Sequence, residues 1–398
     1  MEINLKYLGA PLKELQSQAE ELLNLVNPKE MPFIELPKDE ELKAYAKVAE
    51  RLRETSSQLV IVGIGGSSRG ARAINQSIGL DGNKLKFIDN VDPALLSKVL
   101  RELRWETSAF LFISKSGKTL ETVTALNAIL PELQRRGLSL KEKCAFISDE
   151  GSPFEELARE VGAPFTPIPK RVGGRFSIFT AVGLIPSLFA GFNVKELLEG
   201  AERVIKEPFK AVNLALAKYW AYKKGKRVAV IMPYSSFMGQ FTEWYVQLWA
   251  ESIGKDGKGQ TPLKAEGTSS QHAILQLFMD GPDDKVFQII SIKNSPEDIT
   301  LPREAKILPF IGGKRVSQVM EAELKGTIHA LKRRGRPLIL LELSRLNERE
   351  MGELFMNYMV ATVVMGKLLG VNPYGQPAVE IGKKAAIEEL LKGEEVRN

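Results

Sequence analysis

Ala109-Phe110-Leu111-Phe112-Ile113-Ser114-Lys115-Ser116-Gly117-Lys118-Thr119-Leu120-Glu121-Thr122 decides the architecture of this chain. The apolar run Ala109 to Ile113 reads as a buried strand. Beyond the hydroxyl-rich piece, Leu120, Val123, Ala125, Leu126, Ile129 and Leu130 fall at helical spacing, and Pro131 is expected to close that pattern. The middle is therefore a strand-to-helix turn. Such a turn aims free backbone N–H groups and the positive end of a helix dipole at one spot. Ser114, Ser116 and Thr119 add hydroxyls there, and Lys115 or Lys118 can add a charge. The set suits a phosphate monoester. A plainer reading makes Thr119 an ordinary N-cap.

Working outward, Leu59 to Val62 reads as a second buried strand, running into Gly63-Ile64-Gly65-Gly66-Ser67-Ser68-Arg69-Gly70 and a following helix. The glycine spacing departs from a dinucleotide fingerprint, and no ribose-binding acid is placed after it. Further strands are expected at Leu85–Ile88, Ala145–Ile147, Arg227–Met232, Val286–Ile292 and Leu338–Leu341, with helical segments between them. This alternation predicts an α/β fold of two domains, each a mainly parallel sheet with helices on both faces. The expected divisions are an N-terminal segment at 1–38, α/β domains at 39–198 and 199–345, and C-terminal helices at 346–398. Ligands in such sheets sit at the carboxyl ends of the strands, where both turns lie.

With 398 residues, 44% hydrophobic and 26% charged, the chain has ample length for two full cores. The net charge of +6 is modest. The one dense basic run, Lys332-Arg333-Arg334-Gly335-Arg336, ends a helical pattern and reads as a helix-dipole complement, not a nucleic-acid patch. Cys144 is the sole cysteine, which excludes an internal disulfide and a cysteine metal cluster; with only His272 and His329 besides, no metal site is expected. The N-terminus lacks a signal-peptide core, and the apolar run Ala181–Gly191 is interrupted by Pro186. A cytoplasmic protein with no membrane association is expected.

Four other stretches carry chemistry. Gly173-Gly174-Arg175-Phe176-Ser177 sets an arginine between a glycine pair and an aromatic. Gln247 and Glu251 stand four apart on one face of an otherwise apolar helix, where a carboxylate suits a base. Gly267-Thr268-Ser269-Ser270-Gln271-His272 places a histidine beside hydroxyls at a helix start. Gln376-Pro377-Ala378-Val379-Glu380-Ile381-Gly382-Lys383 opens the last helix, with Glu380 and Lys383 spaced as an ion pair.

Together, and in this order, these motifs resemble the glucose-6-phosphate isomerase family. The resemblance implies two sugar-isomerase (SIS) domains, a homodimer, no cofactor and a sugar-phosphate substrate. It implies reversible aldose–ketose isomerisation of glucose 6-phosphate to fructose 6-phosphate, through ring opening and a cis-enediol(ate), in glycolysis and gluconeogenesis. Glu251 would move the proton between the first two sugar carbons. His272 would assist ring opening from the neighbouring subunit, with Lys383 near the ring oxygen, and Arg175 would stabilise the enediolate. Ser67, Ser114, Lys115, Ser116 and Thr119 would hold the phosphate, and Gly66, Gly174, Gln247 and Gln376 would line the site. Ser68-Arg69, Lys118, Gly375 and Ala378 depart from the usual pattern. Two alternatives are an isomerase that also accepts mannose 6-phosphate and a non-catalytic SIS-domain sensor.

Overall fold

In the computed structural model, residues 1–79 and 84–395 are described. Ten strands, β1 (Glu2–Asn4), β2 (Gln58–Val62), β3 (Leu85–Ile88), β4 (Ser108–Ile113), β5 (Cys144–Ser148), β6 (Phe165–Pro167), β7 (Val228–Pro233), β8 (Thr261–Lys264), β9 (Lys285–Ile292) and β10 (Leu338–Leu343), form two five-stranded sheets. The first has the order β3-β2-β4-β5-β6 and is parallel throughout. The second has the order β1-β10-β9-β7-β8 and is parallel except for its edge strand β1, which pairs antiparallel with β10.

The strands are apolar on both faces because each sheet is covered on both sides. Leu59, Ile61, Leu111, Ile113 and Ile147 point into one core, while Val60, Val62, Phe110, Phe112 and Phe146 point into another. This is the two-residue alternation of a pleated strand read against two layers. The first of these cores also receives Ala229, Ile231, Ile290 and Leu341 from the second sheet. One helical layer therefore lies between the sheets, and a smaller core backs each outer face. The helix Glu348–Leu369 runs through that middle layer and is buried all round from Met351 to Gly366, which accounts for its lack of a polar face.

β6 and β8, of three and four residues, add to the expected strands, and two further local expectations change. The helix that starts at Leu120 does not stop at Pro131 but runs on to Arg135. A proline costs the hydrogen bond to the carbonyl four residues back, yet the next turn still buries Leu133, and tertiary packing outweighs the lost bond. The N-terminal segment, for which no strand was expected, supplies β1; three residues are too short for a two-residue pattern to show. Among the described residues no helix is long and apolar enough to cross a membrane.

Candidate active site

The topology locates the crevice. From β2 the chain steps to one side for β3 and to the other for β4, so the sheet's switch point lies between the carboxyl ends of β2 and β4. The two glycine- and hydroxyl-rich turns leave those ends. They touch: a Cβ on Gly63 would stand 2.8 Å from the Ile113 carbonyl oxygen.

A second strand of chain reaches over the first turn. A Cβ on Gly66 would lie 2.2 Å from the Gly174 carbonyl carbon and 2.7 Å from the Arg175 nitrogen, so only glycine allows this backbone approach. Ser177 Oγ donates to the Gly174 carbonyl at 2.7 Å and holds the 174–179 turn closed. That turn delivers Arg175, whose side chain is buried.

All five N–H donors of Arg175 are engaged. Nε donates to Ser252 Oγ at 2.7 Å. Nη1 donates to Glu251 Oε2 at 3.3 Å and to Gln376 Oε1 at 3.0 Å. Nη2 donates to the carbonyls of Pro373 at 2.6 Å and Gly375 at 3.2 Å. Burial lowers the guanidinium's proton affinity from its usual value, and the Glu251 carboxylate opposes that.

Glu251 stands on the helix Gly239–Ile253 with one third of its side chain exposed to the crevice. Gln247, one turn earlier, donates Nε2 to Glu251 Oε1 at 3.2 Å. A carboxylate only accepts, so the amide nitrogen must face it. Gln247 Oε1 then points elsewhere and is buried without a protein partner. The same amide reaches the glycine turn: a Cβ on Gly65 would stand 3.0 Å from Gln247 Nε2.

The β4 turn is arranged differently from its sequence reading. Ser114 Oγ and Thr119 Oγ1 hydrogen-bond to each other at 2.7 Å, and Ser114 Oγ accepts from the Thr119 N–H at 3.4 Å. Thr119 occupies the N-cap position, yet its own side chain caps nothing. Ser116 is exposed and accepts from the Lys118 N–H. Lys115 turns sideways and donates to the carbonyls of Lys170 at 3.2 Å and Val172 at 2.8 Å, bracing the segment that leads to Gly174. Ser67, half-buried, belongs to the first turn, its Cβ 2.9 Å from where a Cβ on Gly63 would stand.

Gly66, Gly174, Arg175, Gln247, Glu251 and Gln376 thus come together, with Ser67 and the 114–119 turn beside them. His272 and Lys383 do not join them within one chain. His272 is exposed at the end of the Ser269–His272 turn, and Gln271 ties that turn to Tyr234 Oη and Thr327 Oγ1. Lys383 is 59% exposed and pairs with Glu380 at 2.8 Å on the outlying helix Glu380–Glu395. Among the described residues no ion pair or hydrogen bond links either one to Arg175 or Glu251. Sequence reading missed Ser252, Lys255 and the carbonyls of 372–375. Backbone acceptors leave no mark in side-chain identity, although Ser252 and Lys255 follow closely on Glu251.

The departures are accommodated locally. Arg69 pairs with Glu243 at 2.9 Å and donates to its carbonyl. Gly375 is left-handed at φ +66°, a region in which aspartate is also enriched.

The family profile described as phosphoglucose isomerase matches residues 48–397. The chain belongs to the phosphoglucose isomerase family. A glucose-6-phosphate isomerase of Rubrobacter xylanophilus is 34% identical, over 94% of this chain and 93% of that protein. A crystal structure of a Thermus thermophilus protein described as hypothetical superimposes at TM-score 0.91 with 29% identity, covering 98% and 99% of the two chains. A glucose-6-phosphate isomerase structure from Chlamydia trachomatis gives TM-score 0.84 at 23% identity, over 96% and 86%, and shares the fold. The paired parallel-dominated sheets flanked by helices are the SIS-type architecture expected above.

Proposed function

We propose that this chain interconverts glucose 6-phosphate and fructose 6-phosphate through ring opening and a cis-enediol(ate). The Glu251–Arg175 pair at the sheet's switch point carries the reading. A base that shuttles a carbon-bound proton must stay within reach of both carbons while the charge it creates is met by a fixed cation. Glu251 takes the proton from C2 of the open aldose, the electron pair moves toward the C1 oxygen, and Arg175 faces the resulting enediolate. The C2 hydroxyl proton passes to the C1 oxygen, and the protonated Glu251 delivers its proton to C1 as the C2 carbonyl forms, giving the ketose. Gln247 holds the unpaired carboxylate oxygen, and Gln376, Gly66 and Gly174 line the sugar. Because Arg175 already has all its donors engaged, it acts through its fixed charge, or exchanges Gln376 for substrate.

Ser67, Ser114, Ser116 and Thr119 are assigned to the phosphate, with Lys115 beside them through the 170–172 segment it braces. His272 is assigned to ring opening in a second subunit's site, and Lys383 to the ring oxygen. Exposure supports this. His272 faces solvent, and the helix that Gln271 bonds to, Val316–Arg333, exposes Val316 and Met320, while Ile299, Ile307 and Phe310 are exposed in the segment before it. An exposed catalytic candidate on a chain that also exposes large apolar groups suits burial against a second copy. A cytoplasmic homodimer follows from this reading.

A coupled assay of the purified protein tests it, with glucose 6-phosphate, fructose 6-phosphate and mannose 6-phosphate run after exhaustive chelation. Conversion between the first two is expected. No conversion overturns the reading, and metal-restored activity moves it to another class of isomerase.

A further inference from the structure

Lys255 lies two residues beyond the helix that carries Glu251. Its ammonium has three donors. All three go to one short link: Asn372 O at 2.5 Å, Tyr374 O at 2.8 Å and Gly375 O at 2.9 Å. That same link accepts Arg175 through the carbonyls of Pro373 and Gly375 and the side chain of Gln376. Gly375 O serves both cations.

Two positive groups converging on one five-residue stretch is an arrangement with a cost, since like charges repel across a half-buried surface. Burial of Lys255 and the nearby Arg175 charge both lower its proton affinity. The stretch itself has little else to hold it. Asn372, Gly375 and Gln376 face solvent, and the other fixed points are Pro373 and the Tyr374 ring, packed 5.5 Å from Phe176 with its hydroxyl on the Glu30 carbonyl.

We infer that Lys255 is a positioning residue for the isomerisation: it staples the 372–376 link to the end of the Glu251 helix, so that Arg175 and Gln376 keep their places over the reacting carbons. It touches no substrate and acts through Arg175. The inference rests on the proposed function above.

Its test is Lys255→Met, with Lys255→Arg as the conservative rescue and Lys255→Gln, one atom shorter, uncharged and unable to meet all three carbonyls, as a second variant should the methionine protein not fold. Three readouts are compared: kcat and KM for fructose 6-phosphate, the affinity of a phosphorylated sugar acid whose carboxylate stands in for the enediolate, and the thermal midpoint. A displacement of about 1 Å at a reacting centre costs on the order of a hundredfold in rate. Lys255→Met is expected to lose about tenfold to a hundredfold in kcat with KM within about threefold. The sugar-acid analogue should weaken in parallel with kcat/KM, as a transition-state mimic must. Lys255→Arg should recover most of the loss. Wild-type kcat in a folded Met or Gln variant overturns the inference, as does a loss seen only in the thermal midpoint. An inactive wild type instead overturns the function on which it rests.

Discussion

Arg175 Nη1 stands 3.3 Å from Glu251 Oε2, and the other oxygen of that carboxylate accepts from Gln247 at 3.2 Å. In the proposed reaction, a carboxylate held from both sides would not swing away between taking a proton and returning it. The guanidinium that holds it is itself fixed by Ser252 and by main-chain carbonyls, the preorganisation that the proposed role against a developing negative charge requires.

Gly66 is the narrowest point of the site. Gly66→Ala would drive a methyl group to 2.2 Å from the Gly174 carbonyl carbon, where neither backbone can yield without shifting Arg175. Overpacking of this kind costs about 1–3 kcal/mol. A lower thermal midpoint with at least a tenfold fall in kcat is expected, roughly 1.4 kcal/mol of barrier. An alanine variant with wild-type kcat would show the two segments to be further apart.

Lys115→Ala removes the brace on Lys170 and Val172 as well as a cation beside the hydroxyl turn. KM for the sugar phosphate should rise strongly, and free glucose should remain a very poor substrate. Equal turnover of glucose and its phosphate would remove the anion role from the 114–119 turn.

His272 is expected to act in a neighbouring subunit. Mixing inactive His272→Ala and Glu251→Gln subunits should restore part of the activity in hybrid dimers, because one site in each hybrid has both groups intact. Hybrids that form and stay inactive would contradict this.

Tyr45 is buried, and desolvation pushes its phenol up to about 12. In the unfolded chain a tyrosine ionises near ~10. Between these values the folded state retains a proton that the unfolded state has lost, so stability falls as pH rises. The contribution is complete below about pH 10 and disappears toward pH 12. Urea unfolding should show Tyr45→Phe losing less stability than wild type across that window. Parallel declines would assign the effect to other groups.

Much of this was legible in the chain. Glu251 and Gln247 were found because four residues bring side chains onto one helical face, whatever the tertiary setting. Seven of the described strands were found because a sheet covered on both faces needs unbroken apolar runs such as Ala109–Ile113; β1, β6 and β8, of three or four residues, were not. Other features depend on partners far away in sequence. Arg175 could be singled out, but its acceptors in the 372–376 link lie about 200 positions later and are mostly main chain. Lys115 could be read as a phosphate ligand, but not as a brace on carbonyls 55 and 57 residues on. Lys218 gave no signal. It is buried in the middle layer, donating to Tyr245 Oη at 2.6 Å and Gln288 Oε1 at 3.0 Å, with its ammonium nitrogen 3.1 Å from the Trp249 ring centre. Nothing in a helical spacing reveals that a lysine will find such a cage.

The central claim is that Glu251 moves the proton. Turnover of fructose 6-phosphate to glucose 6-phosphate by the wild type and by Glu251→Gln tests it most directly. Glutamine keeps the shape and the Gln247 neighbour but cannot accept a carbon-bound proton. The wild type should turn over, and the variant should be slower by a factor on the order of a hundred or more, the scale of general-base loss, with sugar-phosphate binding little changed. Near-normal turnover by Glu251→Gln would contradict the mechanism proposed for this site.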